Sequence, residues 1–499
     1  MKPALPGILL IEPPFYRLFK ATYSLDRYPL SLGYLAGTIR KETDWQVNVY
    51  NADFVPNSEA AKVSYMAGVG FDHYLNNLED LSRKIWQEIE AVIAKYQPRI
   101  VGISAKSPNF ASATRLARLA KKVNPDILVV VGGSHLSMVG PEALKCPDID
   151  VGVRGEGEQT IVELLHAVEQ GRDFKDIKGI IYRDGTEIIS NAPREYIENL
   201  DELCFPHESA PEVLIDYPKY PLSAFQNIFS IRGCAYNCFF CGSRKVWSRK
   251  VRFRSPESVV QEIRSLQKRN IHTVHFDDDT FGVTRKHIID LCYALIQSCP
   301  GLRWSCELHV KLVDEPTIAL MEAAGCYSIQ IGIESGSDYI LKEMRKNITI
   351  AEALRACEII KRHDIILQTF FIVGFPQETE ETLAETVAVM EEANCDFLVY
   401  SIFTPYPGTE AFDYCRAHGL VDDDYNISLY NHQSPANSFS MHIPSERFRE
   451  LVGEIEKMVD QKNYIRSIKR TFSRHTFRRI RELGLAQSIQ KGVKIFTGK

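Results

Sequence analysis

The chain has 499 residues, 45% hydrophobic and 25% charged, with a formal net charge of −5. That length exceeds one hydrophobic core and suits two or three domains, the balance is that of a globular protein, and the charge argues against a general polyanion binder. No apolar run reaches the roughly 20 residues a spanning helix needs, the start MKPALPGILLIEPPF lacks a secretory pattern, and twelve unevenly spaced cysteines, none before Cys146, suit a reducing cytoplasm better than a disulfide scaffold.

In chain order, apolar β-like runs are expected at Ile8–Ile11, Trp45–Tyr50, Ile100–Ser104, Ile127–Val131 and Val151–Val153, with helices between them at Leu30–Arg40, Leu78–Tyr96 and Ala111–Val123. Near-continuous apolar strands alternating with helices predict a parallel sheet covered on both faces, a doubly wound, Rossmann-like α/β domain. Such sheets bind ligands beyond the carboxyl ends of their strands. The loops there read EPPFYR, SAKSPNF, GGSHLS and RGEGEQT. Gly132, Gly133, Gly155 and Gly157 remove side chains where a ligand would need close approach, although each alone reads first as turn chemistry. Four such loops on one edge point to a bound cofactor. No GxGxxG follows the first strand, which disfavours a nicotinamide or flavin dinucleotide.

Residues 156–220 read as a connector: a helix at Thr160–Glu169, a small β unit with a hairpin signal at Asp184-Gly185, then a proline-bearing stretch. A second strand–helix series follows over 221–435. Strands are expected at Phe229–Arg232, Thr273–Asp277, Arg303–Leu308, Ser328–Glu334, Thr369–Val373 and Phe397–Phe403, with helices such as Pro256–Arg269, Arg285–Gln297 and Ile350–His363. These βα units fit a full or partial (β/α)6 barrel, whose chemistry sits at the carboxyl ends of its strands. Residues 436–499 read as a helical tail; from Lys462 to Lys499 it carries eleven Lys or Arg and one acid, Glu482.

After the first strand of the second series stands RGCAYNCFFCGSRKVW, with Cys234, Cys238 and Cys241 spaced as CxxxCxxC. A structural zinc site wants four ligands, usually from paired knuckles, and no second pair is present. A disulfide would leave one thiol over. An iron–sulfur cluster held by three thiolates, with its fourth iron open to a small molecule, accounts for the pattern better, and Tyr236, Phe239 and Phe240 would shield it.

CAYNCFFC, with an aromatic just before the third cysteine, resembles the signature of the radical S-adenosylmethionine (SAM) enzymes. The resemblance implies a 4Fe–4S cluster on Cys234, Cys238 and Cys241. Its open iron chelates SAM, which one electron cleaves to a 5′-deoxyadenosyl radical. VHFDDDTFGV, IGIESGSDYILKEMRK and FFIVGFPQETEET resemble successive strand-end motifs of the same family, placing Phe240, Asp278, Asp279, Glu334, Ser335, Ile372 and Gly374 around SAM. His309 stands where relatives commonly carry an arginine.

The first domain resembles that of the cobalamin-binding members of the family, through Pro13-Pro14, YPLSLGYLAGTIR, VGIS, VVVGGSHLS and VGVRGEGEQT. This implies a cobalamin-binding domain over 1–155 and assigns to the corrinoid Pro13, Pro14, Tyr28, Leu30, Gly33, Ser104, Gly132, Gly133, His135, Arg154, Gly155, Glu156 and Gly157. No DxHxxG follows the first strand and no histidine precedes His73, so cobalamin is expected with its dimethylbenzimidazole detached and no histidine on cobalt. The absence of cysteine from the first 145 residues sets aside the methylthiotransferases, whose amino-terminal domain holds a second cluster.

The combination implies methylation of an unactivated carbon by way of methylcobalamin. An oxidative cyclase like the anaerobic magnesium-protoporphyrin ester cyclase is the alternative, and a non-enzymatic corrinoid carrier with a zinc site is a third reading. The expected partners are a small, lipid-like substrate and a flavodoxin- or ferredoxin-type electron donor, and no nucleic acid. The basic tail reads as a solvated face or as a peripheral contact with the inner face of a membrane.

Overall fold

The computed structural model describes residues 6–471 apart from 430, 433 and 435. It contains two compact units. The first takes in residues up to 235, 240–271 and 405–436; the second takes in 236–239, 272–404 and 437 onward.

The first unit is built on a seven-stranded sheet in the order β2-β1-β3-β4-β5-β6-β7. Its strands are β1 (Gly7–Glu12), β2 (Gln46–Asn51), β3 (Ile100–Ser104), β4 (Leu128–Gly132), β5 (Val151–Val153), β6 (Ile180–Asp184) and β7 (Glu187–Ser190). β1 to β5 are mutually parallel, as their apolar runs predict. Ile8 to Ile11 and all of Ile100–Ile103 are buried, because helices cover both faces. The chain leaves β1 for β2 on one side and β3 on the other. That divergence opens a crevice at the carboxyl ends, the usual ligand position of such sheets.

Two expectations change here. The helix expected over Leu78–Tyr96 is two, Val69–Glu79 and Lys84–Tyr96. The break falls where the Asp80 carboxylate accepts from both the Ser82 N–H (2.9 Å) and its hydroxyl (2.6 Å), a local bond that competes with the helix ladder. The small β unit expected in a separate connector instead extends the domain sheet, since β6 pairs antiparallel to β5 and β7 to β6.

The cysteine segment is also housed differently. The strand expected over Phe229–Arg232 is divided into β8 (Asn227–Ile228) and β9 (Ile231–Arg232), and β9 pairs antiparallel with β10 (Arg252–Phe253). The cysteines therefore lie in the long loop between β9 and β10. Arg232 cannot join an apolar strand interior, because its side chain is drawn to buried carboxylates described below.

The second unit has five parallel strands in sequential order: β11 (Thr273–Phe276), β12 (Arg303–Glu307), β13 (Cys326–Glu334), β14 (Ile366–Val373) and β15 (Phe397–Ile402), with helices between them. This is the strand order of a partial βα barrel. One face is apolar: Val274, Phe276, Trp304, Ile329, Ile331, Ile333, Leu367 and Phe371 are buried. The helix Ser445–Thr471 covers the β15 edge, where the Asn463 side chain accepts from the Leu398 N–H and donates to the Leu398 carbonyl, both at 2.8 Å. An amide that satisfies both backbone groups substitutes for a further strand at an otherwise open edge.

Candidate functional site

In the first unit the assigned residues gather at the carboxyl edge of the sheet. Pro13 and Pro14 follow β1 and are buried, Ser104 ends β3, and Gly132 ends β4. Gly133 has φ +102°, and a Cβ there would stand 2.5 Å from the Ala105 carbonyl oxygen, so no other residue fits this crossing. The loops after β4 and β5 are tied together. The Ser137 hydroxyl donates to the Gly133 carbonyl (3.1 Å) and accepts from the Gly155 N–H (2.9 Å).

His135 is buried in this edge, stacked on Phe110 with ring centroids 4.0 Å apart and hydrogen-bonded through Nδ1 to the Ser107 hydroxyl at 3.0 Å. Burial pushes its pKa down to about 3, so the ring is neutral and packs as an aromatic surface. Other assigned residues serve the framework. Tyr28 and Gly33 pack on Pro206, with the Tyr28 hydroxyl donating to the Pro206 carbonyl at 3.3 Å. Leu30 is buried at the start of the helix Leu30–Glu42. Arg154 donates to the Asn191 carbonyl at 2.8 Å. Glu156, assigned to the corrinoid from the sequence, has both oxygens occupied, accepting from Arg232, Arg252 and the Ile197 N–H at 2.6–2.7 Å.

In the second unit the segment Tyr236–Phe239 is anchored through both backbone and rings. The Phe239 N–H donates to the Met344 carbonyl at 2.9 Å, and Tyr236 stacks on His309 with centroids 3.6 Å apart and planes within 10°. His309 is thus a flat support for the residue between two cysteines. Its Nδ1 accepts from the Lys311 N–H at 3.2 Å. Burial, and then the charges of Lys346 and Lys311, push its pKa down to about 3. Cys234 and Cys238 are half-buried and Cys241 is exposed, whereas Cys292, Cys299, Cys306, Cys326, Cys357, Cys395 and Cys415 are buried. Phe240 is half-buried. Among the described residues, no three His, Cys, Asp or Glu side chains stand close enough together to hold a single metal ion.

Beyond the strand ends, Asp278 is buried and Asp279 exposed after β11. Glu334 closes β13 at φ +72° beside a register shift and forms a buried ion pair with Lys346 at 2.6 Å. Gly332 makes room for that pair, since a Cβ there would meet Glu334 Oε1 at 2.1 Å. Ser335 is fully buried; its hydroxyl bonds Thr386 (3.1 Å) and accepts from the Ser337 N–H (3.1 Å), which makes it a clamp on the turn. Ile372 is half-exposed on β14. Gly374 turns at φ +83° against the ring of Phe448.

A set the sequence reading missed lies on the second face of the same sheet. His275, Ser305, Glu307, Ser328, Gln330 and Gln368 share that face through the registers His275–Ser305, Ser305–Ser328, Glu307–Gln330 and Gln330–Gln368. His275 Nδ1 bonds the Ser305 hydroxyl at 2.8 Å, and its Nε2 stands 3.4 Å from Glu307. The signal was the polar alternation in TVHF, RWSCE and SIQIGIE; on β14 the same face is mixed, with Gln368 between Ile366 and Phe370.

Comparison with known proteins places these features. The B12 binding domain family matches residues 16–165 and the Radical SAM superfamily matches residues 228–390. An uncharacterized methyltransferase of Pyrococcus horikoshii is 32% identical over 83% of this chain and 84% of its own length. The anaerobic magnesium-protoporphyrin IX monomethyl ester cyclase of Rubrivivax gelatinosus is 33% identical over 77% of this chain and 70% of its own. Among solved structures, the radical SAM methyltransferase TsrM of Kitasatospora setae, with cobalamin and a [4Fe–4S] cluster bound, superposes with a TM-score of 0.63 at 18% identity, covering 83% of this chain and 75% of that one. At that identity the likeness is one of fold.

Proposed function

The chain belongs to the cobalamin-binding radical SAM enzymes, and on that footing we propose that it methylates an unactivated carbon of a small-molecule substrate. Membership carries with it a 4Fe–4S cluster, SAM and cobalamin as cofactors. When bound, these groups supply a 5′-deoxyadenosyl hydrogen abstractor and a methyl donor.

The residues present fit those groups. Three accessible thiols in CxxxCxxC would hold three irons and leave one free, and Tyr236 on His309 fixes the stretch between the first two. Glu334, Ile372 and Gly374, with Asp278 and Asp279, would line SAM along the strand ends. Pro13, Pro14, Ser104, Gly132, Gly133 and Gly155 would receive the corrin edge, where Gly133 brings backbone rather than side chain to the surface. His135, stacked on Phe110 with its Nδ1 bonded to Ser107, would present a neutral aromatic ring at that edge. The polar strand face bearing His275, Gln330 and Gln368 would orient substrate. Orientation and water exclusion carry such chemistry more than proton transfer does.

The similarity over 84% of the Pyrococcus methyltransferase supports methyl transfer most directly. The comparable similarity to the cyclase keeps oxidative cyclisation as the second reading. Anoxic incubation of the cluster-loaded chain with SAM, hydroxocobalamin, a low-potential reductant and cell extract distinguishes them. Methylation gives 5′-deoxyadenosine together with S-adenosylhomocysteine and a product heavier by one methylene. Deoxyadenosine without S-adenosylhomocysteine selects the cyclase.

A further inference from the structure

Four buried charges join the loop after β5 to the base of the cysteine loop, all within the first unit. In Arg154-Gly155-Glu156-Gly157-Glu158 the residues alternate in role. A Cβ at Gly155 would meet nothing within 4 Å, so that side of the loop is open. The carboxylates of Glu156 and Glu158 are buried, at 5% exposure each. Arg232 donates to Glu156 at 2.6 Å and to Glu158 at 2.5 Å, and Arg252 donates to Glu156 at 2.7 Å and to the Ile197 carbonyl at 2.7 Å. Arg232 and Arg252 face each other across β9 and β10, the strands that open and close the cysteine loop. Trp247, from within that loop, lies under both guanidinium groups at 5.8 and 5.9 Å; Tyr34 and Tyr196 add faces at 5.3 and 4.8 Å.

Burial opposes ionisation of Glu158, but the adjacent Arg232 guanidinium more than offsets it and holds the carboxyl below its ordinary value. A balanced buried network of this kind adds little net stability over an apolar core, while loss of one member strands the opposite charge. Its physical use is to select one arrangement of the segments it joins. The sequence resemblance assigns Glu156 to the corrinoid, and the proposed chemistry uses neither arginine.

We propose that Glu156, Glu158, Arg232 and Arg252 form a positioning clamp through which the corrinoid edge and the cysteine loop hold each other in register, so that cluster and cobalamin bind with positive coupling. The inference rests on the cofactor assignment above. Gly155 leaves the loop open on one side while its neighbours grip the cluster-bearing loop on the other. Whatever orders one side orders the other, and the coupling is reciprocal.

The test is an anoxic absorbance titration of hydroxocobalamin into the cluster-loaded chain and into the same chain stripped of iron. The clamp predicts about tenfold tighter binding to the loaded form. In Glu158→Gln the ratio falls toward one while the affinity of the stripped form is retained. Glu262→Gln, which breaks the buried Arg254–Glu262 pair away from the β5 loop, keeps the ratio. Equal affinities in the unmodified chain, an undiminished ratio in Glu158→Gln, or a ratio lost equally in Glu262→Gln each overturns the clamp. Should Glu158→Gln fail to fold, Arg232→Lys is read the same way, since it keeps the charge and gives up the fork that spans Glu156 and Glu158. Failure of both forms to bind corrinoid would instead refute the cofactor assignment.

Discussion

His309, two residues beyond β12, acts as a plate. Stacked on Tyr236, it supports the stretch between Cys234 and Cys238 without contributing charge. His309→Ala should lower iron incorporation several-fold, and His309→Phe should restore it, both read as iron per chain. The ring also carries a pH signature. Its folded pKa of about 3 lies below the ordinary 6.5, so the stability it contributes is present above pH 6.5 and lost as pH falls toward 3. Denaturant unfolding of His309→Phe should show a flatter decline over that window. Glu378 has the opposite sign. Burial raises its pKa from 4.5 to about 7, so its contribution is present below pH 4.5 and lost as pH rises through 7. Glu378→Gln, which can still accept from the Gly374 N–H, should remove that loss. None of this was legible in the sequence, because a stack and a buried carboxyl are set by residues far away in the chain. The three cysteines were legible, since their spacing is local.

At the level of elements, periodicity located nearly every strand to within one or two residues, and failed where side chains competed with backbone. The Asp80–Ser82 bonds divided one expected helix, and the attraction of Arg232 to Glu156 and Glu158 divided one expected strand. In the second unit, alternation along each strand puts polar residues on one face of β11 to β13, and the register between strands brings them together. Gln330→Leu is expected to weaken substrate binding while leaving cluster content and corrinoid binding unchanged, measured as a rise in KM once a substrate is in hand. Gly332→Ala puts a methyl group onto the Glu334–Lys346 pair, a small-to-large change that typically costs about 1–3 kcal/mol. Chemical denaturation should report that loss together with weakened SAM binding.

For the molecule as a whole, length suits two or three domains, and the strand–helix rhythm predicts two α/β series joined by a connector and followed by a helical tail; the chain divides into two compact units. What composition could not show is that segments exchange between them: residues 405–436, downstream of the last strand of the second unit, belong to the first. The basic tail divides in a similar way. Lys462 pairs with Glu391, and Arg466 donates to the Ala393 carbonyl, so these two cations help dock the last helix. The remainder of that expectation, from residue 472 onward, lies outside the described residues. No helix among those described is long and apolar enough to cross a membrane. Removal of residues 473–499 spares Asn463 and Arg466; if the tail contacts anionic lipid, the truncated chain should lose low-salt binding to phosphatidylserine vesicles at unchanged thermal stability.

The central claim is that three thiolates leave one iron of a cluster open to SAM. It is tested most directly by the electron paramagnetic resonance spectrum of the anoxically reconstituted, reduced chain before and after SAM is added. The expected result is about four irons per chain, a spectrum that SAM shifts, and loss of both in Cys238→Ala. A chain that holds zinc with a fourth protein ligand, or a cluster whose spectrum SAM leaves unchanged, would contradict it.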